Sequence, residues 1–160
     1  MTILAAASGL TEQLRQEFDG YCALERLLAK EEEALIAVAS DRVAALAGEK
    51  ERVTESLQEL AHRRIAMLQS KGLSGDAAGM RTWLARHPER AEAAPAWELL
   101  SSKVVATKRQ NQSNGRLIDA LVRHLQVRLN MISSATCANP TYGPDGHSRV
   151  ARFPSALGQA

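Results

Sequence analysis

The sequence predicts an all-α protein, an antiparallel bundle of three long helices with a short crossover helix and a flexible C-terminal tail. Its 160 residues are the length of one domain. Hydrophobic residues make up 45% and aromatic residues only 4%, and the abundant Ala, Leu, Glu and Arg are typical of long helices. Apolar residues recur three and four positions apart. Alternating runs of β-branched and aromatic residues, which signal strands, are missing.

The first two long helices are predicted at residues 2–39 and 42–71, each with one apolar stripe. The two stripes are out of phase, because five residues rather than three or four separate the last apolar position of one from the first of the other. We therefore expect a tight turn between them, with Ser40 or Asp41 capping the second helix. The alternative is one unbroken helix with a slip in its stripe.

Four charged residues fall on these apolar stripes: Glu17 and Glu31 on the first, Lys50 and Arg64 on the second. In an antiparallel hairpin, the two residue numbers of every facing pair add up to the same value. Glu31 with Lys50 and Glu17 with Arg64 give the same sum, so each acid is predicted to pair with a base. Such pairing lowers the cost of charges on the seam and fixes the register. The alternative is that these long side chains reach out to water.

The following stretch is punctuated by glycine and proline and predicts a short crossover helix at residues 75–86. Ser74 or Asp76 can cap it. Trp83 within it, and Trp97 at the start of the next helix, are expected to be core anchors; stacking on a ligand is the less favoured interpretation.

The last long helix is predicted at residues 96–136. Heptad spacing places Asn111 and Gly115 on the stripe of this helix that is predicted to be buried. Gly115 would let a neighbouring group come close, and Asn111 would offer an amide that fixes register, as a single polar seam residue does. The alternative is a weak spot that packing tolerates, since Gly and Asn are poor helix formers.

Residues 1–136 are thus predicted to form the bundle, and residues 137–160 the flexible tail. The tail contains three of the five prolines and a Pro-Asp-Gly turn signal, and its few apolar residues cannot bury enough surface to order it.

Charge is unevenly distributed although the net charge is only +2. Residues 2–39 carry seven acids against three bases, whereas residues 98–136 carry six bases against two acids. Opposite charge most simply means that these two helices are neighbours. A nucleic-acid site on the basic helix is a less favoured alternative; its residues would be Lys103, Lys108, Arg109, Arg116, Arg123 and Arg128.

Catalytic and metal-binding patterns are missing from the sequence. Cys22 and Cys137 match no metal or redox spacing, which fits a reducing cytoplasm, and the four histidines are scattered. There is no phosphate-binding glycine motif, no basic leader at the N-terminus and no apolar run long enough to cross a membrane. We expect a cytoplasmic protein that is not an enzyme, needs no cofactor or metal, and does not insert into membranes.

Two short runs carry a resemblance to a known family. The first is an N-x-x-N-G-x-L-I run and the second a Y-G-x-x-G run in the tail. Their residues are Asn111, Asn114, Gly115, Leu117 and Ile118, followed by Tyr142, Gly143 and Gly146. With these runs as its sharpest parts, and with the acidic first helix, the leucine-rich second helix and the tryptophan-containing crossover in the same order, the chain resembles the FlgN family of flagellar export chaperones.

The resemblance implies a chaperone that binds the hook-associated proteins FlgK and FlgL, at the hook–filament junction, in the cytoplasm before type III export. It implies that the last helix grips the C-terminal helical segments of these clients, and that the tail run docks at the flagellar export gate. The implied client-binding residues are Asn111, Asn114, Gly115, Leu117, Ile118, Leu121, Val122, Leu125, Leu129 and Ile132.

The physical pattern agrees, because a long apolar groove can cover the apolar stripe of a visiting helix. Binding of such a helix requires that the chain itself leaves the apolar ridges of the last helix uncovered. A generic coiled-coil scaffold is the first alternative, and a nucleic-acid-binding helical protein the second.

Overall fold

The computed structural model describes the backbone of residues 2–137, 141–142 and 148–149, and the side chains of residues 9–134. The predicted all-α fold is confirmed, with every helix end within three residues of its predicted place. The elements are α1 (Thr2–Ile36), α2 (Ser40–Ser70), α3 (Ala77–Arg86), α4 (Ala93–Cys137), β1 (Thr141–Tyr142) and β2 (Ser148–Arg149).

The two short strands are a feature that the sequence did not predict. They pair antiparallel, with Thr141 opposite Arg149 and Tyr142 opposite Ser148. The prediction of a flexible tail otherwise concerns residues that lie outside the described part of the chain.

The chain forms two compact units, residues 1–117 and 118–160. The first contains α1, α2, α3 and the first half of α4. The second contains the rest of α4 and the strand pair. The boundary thus falls inside α4, just after the N-x-x-N-G run.

Two apolar clusters form the core of the first unit. The larger one brings all four helices together around Trp83 and Trp97, which confirms both as core anchors. The smaller one packs α1 against α2 around Leu27 and Leu46. Leu14 and Leu28 are completely buried, and replacing such a leucine with alanine typically costs about 2–5 kcal/mol.

The predicted charge pairs on the α1–α2 seam are confirmed. Lys50 Nζ lies 2.7 Å from Glu31 Oε1, and Arg64 Nε lies 3.0 Å from Glu17 Oε1. Both acids are buried, so the alternative that these side chains reach out to water is wrong. Removing one partner of a buried pair leaves an uncompensated charge that costs several kcal/mol, and the pairs therefore fix the hairpin register.

Helix α4 runs parallel to α1 in the first unit, because its contacts advance along both helices together. Arg15 of α1 pairs with Glu92, just before α4, and ten residues further Glu25 accepts a hydrogen bond from Lys103 Nζ at 2.8 Å. This ion pair holds the pKa of Lys103 above its ordinary value through the hydrogen bond from its ammonium to Glu25. The prediction that the acidic and basic helices are neighbours is confirmed.

The α1–α2 turn differs from the predicted one. Ala39 precedes α2 and no side chain caps that helix, so the expected cap by Ser40 or Asp41 is wrong. Instead α1 ends in a Schellman motif, with the amide of Ala39 donating to the Ala34 carbonyl and that of Val38 to the Leu35 carbonyl. The chain reverses through the left-handed backbone of Val38 at φ +52°, so a side-chain cap is not what makes the turn.

The crossover helix α3 is capped as predicted by Asp76, whose carboxylate accepts from the amides of Ala78 and Gly79. The Ser74 hydroxyl also donates to it, and this bond, followed by that from the Gly79 amide, holds the pKa of Asp76 below its ordinary value. A side chain at Gly79 would collide with the Ser74 carbonyl oxygen, so this turn requires glycine.

The same Schellman motif ends α2, where Gly72 takes the left-handed position at φ +69°. A β-branched residue in that conformation costs about 1–2 kcal/mol. We therefore expect Val38→Gly to raise the free energy of unfolding by about 1 kcal/mol, and the melting temperature by about 2–4 °C. Differential scanning calorimetry measures both. The reciprocal control Gly72→Val should lower them. An unchanged or lower stability of Val38→Gly would contradict the strain assigned to Val38.

Candidate protein-binding surface

Helix α4 carries one stripe of residues at helical spacing, with members in both units. In the first unit its members Leu100, Thr107 and Asn114 are buried. After Asn114, the stripe residues that follow at intervals of four and three positions are exposed. Its exposed large apolar members are Ile118, Val122, Leu125, Leu129 and Ile132, and Leu117 and Leu121 beside it are half-buried. The apolar side chains of the last helix that were expected to be exposed are exposed here, and the binding of a guest to them stays a prediction.

The exposed apolar side chains are concentrated here. Among residues 9–134, seven of the eleven exposed large hydrophobic residues lie between residues 118 and 132. Soluble proteins rarely present a contiguous apolar patch without a binding role. Val127 and Met131 lie on the opposite side of α4 from the stripe, as the helical period requires.

Asn114 lies at the last buried position before this surface. It is 1% exposed, and its Nδ2 donates to the Leu28 carbonyl and to Glu31 Oε2, both at 2.8 Å. Glu31 Oε1 meanwhile accepts from Lys50. One carboxylate of α1 therefore joins α2 and α4. Asn114 is therefore engaged within the chain, and its amide nitrogen already serves two acceptors of α1.

The other residues of the N-x-x-N-G run are arranged differently from the prediction. Asn111, expected on the buried stripe, is exposed, and the buried register residue is Asn114, three positions on. The reason is that a buried amide needs acceptors, and α1 offers two of them to Asn114. Gly115 makes no close internal approach, since a side chain there would meet no group within 4 Å.

A protein-family model for "FlgN protein" matches residues 1–149 of the chain. The chain belongs to the FlgN family. None of the curated proteins matches it, and neither does any solved structure. The matched range includes both runs that carry the resemblance and excludes residues 150–160.

Membership of the FlgN family identifies the chain as a flagellar export chaperone, a class of protein that binds flagellar proteins. Among the residues that the structure describes, no group of histidine, cysteine, aspartate and glutamate is placed to hold a metal ion. No helix in that part of the chain is long and apolar enough to cross a membrane.

The residues implied in export-gate docking fall largely outside the described part of the chain. The backbone of Tyr142 pairs with Ser148 in the strand ladder, but the Tyr142 side chain, Gly143 and Gly146 lie outside the described residues. Sequence reasoning missed this ladder because two-residue strands carry no recognisable period.

The sequence also missed the acceptors of Asn114. A signal was available, because Glu31 already stood out as an acid on an apolar stripe, with two carboxylate oxygens and only one predicted partner. A second donor was therefore needed near it, and the last helix contained the amides to supply one.

Proposed function

We propose that this FlgN-family protein binds the C-terminal helical segments of the hook-associated proteins FlgK and FlgL in the bacterial cytoplasm and shields them before type III export. The observation that supports this is the exposed apolar stripe of α4 from Ile118 to Ile132. The proposed binding residues are Leu117, Ile118, Leu121, Val122, Leu125, Leu129 and Ile132, with Asn111 and Gly115 at the edge.

The stripe suits a guest helix in its dimensions. Residues 118–132 advance about 21 Å along the axis at 1.5 Å per residue, which is about four helical turns. An amphipathic helix from a client can lay its own apolar residues along these turns. A segment that later packs inside a filament exposes such residues while it is alone, and covering them prevents aggregation.

The polar residues at the start of the stripe support the same arrangement. Gly115 leaves open space where a side chain would stand, so the guest backbone can come close there. The exposed amide of Asn111 can bond to the end of a guest helix, whose last carbonyls lack partners. Shielding of this kind consumes no ATP and requires neither cofactor nor metal, and the affinity must be moderate because export requires release.

We further propose that Tyr142, Gly143 and Gly146 form the contact with the flagellar export gate. The family match extends through this run and ends at residue 149. A chaperone that holds its client on α4 and docks through a separate tail segment can deliver the client while it is still bound.

A scaffold that associates through the same stripe is the competing function. It predicts that the chain alone forms oligomers and that a client does not compete with them. A nucleic-acid-binding role through the basic residues of α4 predicts binding that weakens steeply with salt. Lys103 is already committed to Glu25 within the chain, which weakens that second alternative.

The central test is capture of FlgK or FlgL from co-expression with the chain, with the client's C-terminal segment present or deleted. Leu125→Glu should lower the affinity at least about tenfold, because a carboxylate buried against an apolar guest loses its hydration. The matched control is Val127→Glu, since Val127 is 51% exposed and Leu125 47%, but Val127 faces the other side of α4. Equal effects of the two variants, or capture that ignores the client's C-terminal segment, would contradict the proposal.

The gate contact has its own test. Tyr142→Ala should leave FlgL capture unchanged and reduce binding of the chaperone–client complex to the purified cytoplasmic part of the export gate, measured by calorimetry. Unchanged gate binding would remove Tyr142 from the proposed contact.

A further inference from the structure

Helix α4 lacks apolar packing in the segment just before the exposed stripe. Between Val104 and Leu117 its buried or half-buried positions are Thr107, Gln110, Asn114 and Gly115, none of which is a large apolar residue. Val105, in the same segment, is exposed. Burial of apolar surface, which holds the earlier turns around Trp97 and Leu100, therefore contributes little to holding residues 105–117 on α1 and α2.

The hydrogen bonds of Asn114, rather than apolar burial, hold this segment on α1. The Thr107 hydroxyl is buried but donates within its own helix, to the Lys103 carbonyl. Asn114 donates twice to α1, at Leu28 and Glu31. In the described part of the chain, these two are the hydrogen bonds that side chains of residues 105–117 make to another helix.

The group formed by Asn114, Glu31 and Lys50, called the clasp below, is costly to break. Glu31 is 3% exposed and uses one oxygen for Lys50 and the other for Asn114. Hydrogen bonds to a buried carboxylate are stronger than neutral ones, and a lost partner leaves the desolvated charge undersupplied.

The clasp is nevertheless incompletely bonded. The Oδ1 atom of Asn114 is buried without a described hydrogen-bond partner. A buried acceptor without a hydrogen-bond partner lowers the net stability of the contact. The clasp is therefore specific in register but weaker than a fully bonded network of the same size.

We infer that the clasp is a positioning device for client binding. It holds residues 105–117 of α4 on the α1–α2 hairpin and so sets the point at which the apolar stripe becomes available to a guest. Asn114 touches no client in this arrangement. This inference rests on the proposed function of the stripe.

The expected consequence is a binding defect without global unfolding. If the clasp is lost, residues 105–117 spend part of their time detached, and a guest must bind the fraction of molecules that remain in place. The apparent affinity falls by that fraction. The Trp97 cluster and the Glu17–Arg64 pair lie away from the clasp and hold the remainder of the bundle.

Asn114→Ala in the full chain tests this through hydrogen exchange and client binding. We expect amides of residues 105–117 to exchange about tenfold faster or more, amides of α1 and α2 to keep their rates, and the affinity for FlgL to fall about fivefold or more. The conservative variant Glu31→Gln keeps an oxygen that accepts from Asn114, and it should restore slow exchange in residues 105–117 relative to Glu31→Ala.

The matched control is Thr107→Val, at an equally buried polar position on the same stripe, whose hydroxyl bonds only within α4. It should change neither the local exchange nor the affinity. Wild-type exchange in Asn114→Ala, faster exchange spread over the whole bundle, or an equal effect of Thr107→Val would each overturn the inference. Failure of the unmodified chain to bind FlgL would refute the proposed function, while the exchange measurement would still decide whether the clasp holds α4.

Discussion

The arrangement of the three long helices depends on the buried carboxylate of Glu31. One oxygen is bonded to Lys50 of α2 and the other to Asn114 of α4, so a single side chain of α1 fixes the register of both neighbours. Apolar ridges alone would allow helices to slide by a turn at little cost, whereas a displaced Glu31 would be a buried charge without partners. The second pair, Glu17 with Arg64, repeats the device two heptads away, and Arg64 also lies over the ring of Trp97 of α4.

This choice of polar contacts explains how the chain can present an apolar surface without closing over it. The stripe of α4 is covered as far as Asn114, and beyond it the apolar side chains remain exposed. A continuous apolar stripe on α1 and α2 would allow these helices to slide by a turn. Charged and amide residues on the seam oppose that because they match in one register only.

The sequence was sufficient for the helices, the crossover and the two charge pairs of the hairpin, because local periodicity and the constant sum of facing residues are visible in a single chain. It also predicted the exposed ridge of α4. It was not sufficient for the turn at Val38, since a β-branched residue in a left-handed conformation contradicts local preference. It placed the buried amide at Asn111 instead of Asn114 because a heptad count does not show which of two neighbouring amides meets an acceptor on another helix.

The proposed function requires that one side of α4 beyond Ile118 receives a client helix. Cysteine accessibility measures this directly, in a chain whose Cys22 and Cys137 are changed to serine and which carries a single new cysteine at either Leu125→Cys or Val127→Cys. We predict that saturating FlgL slows alkylation strongly at position 125 and little at position 127. Equal alkylation rates with and without FlgL at position 125, in a mixture where the complex is shown to form, would contradict it.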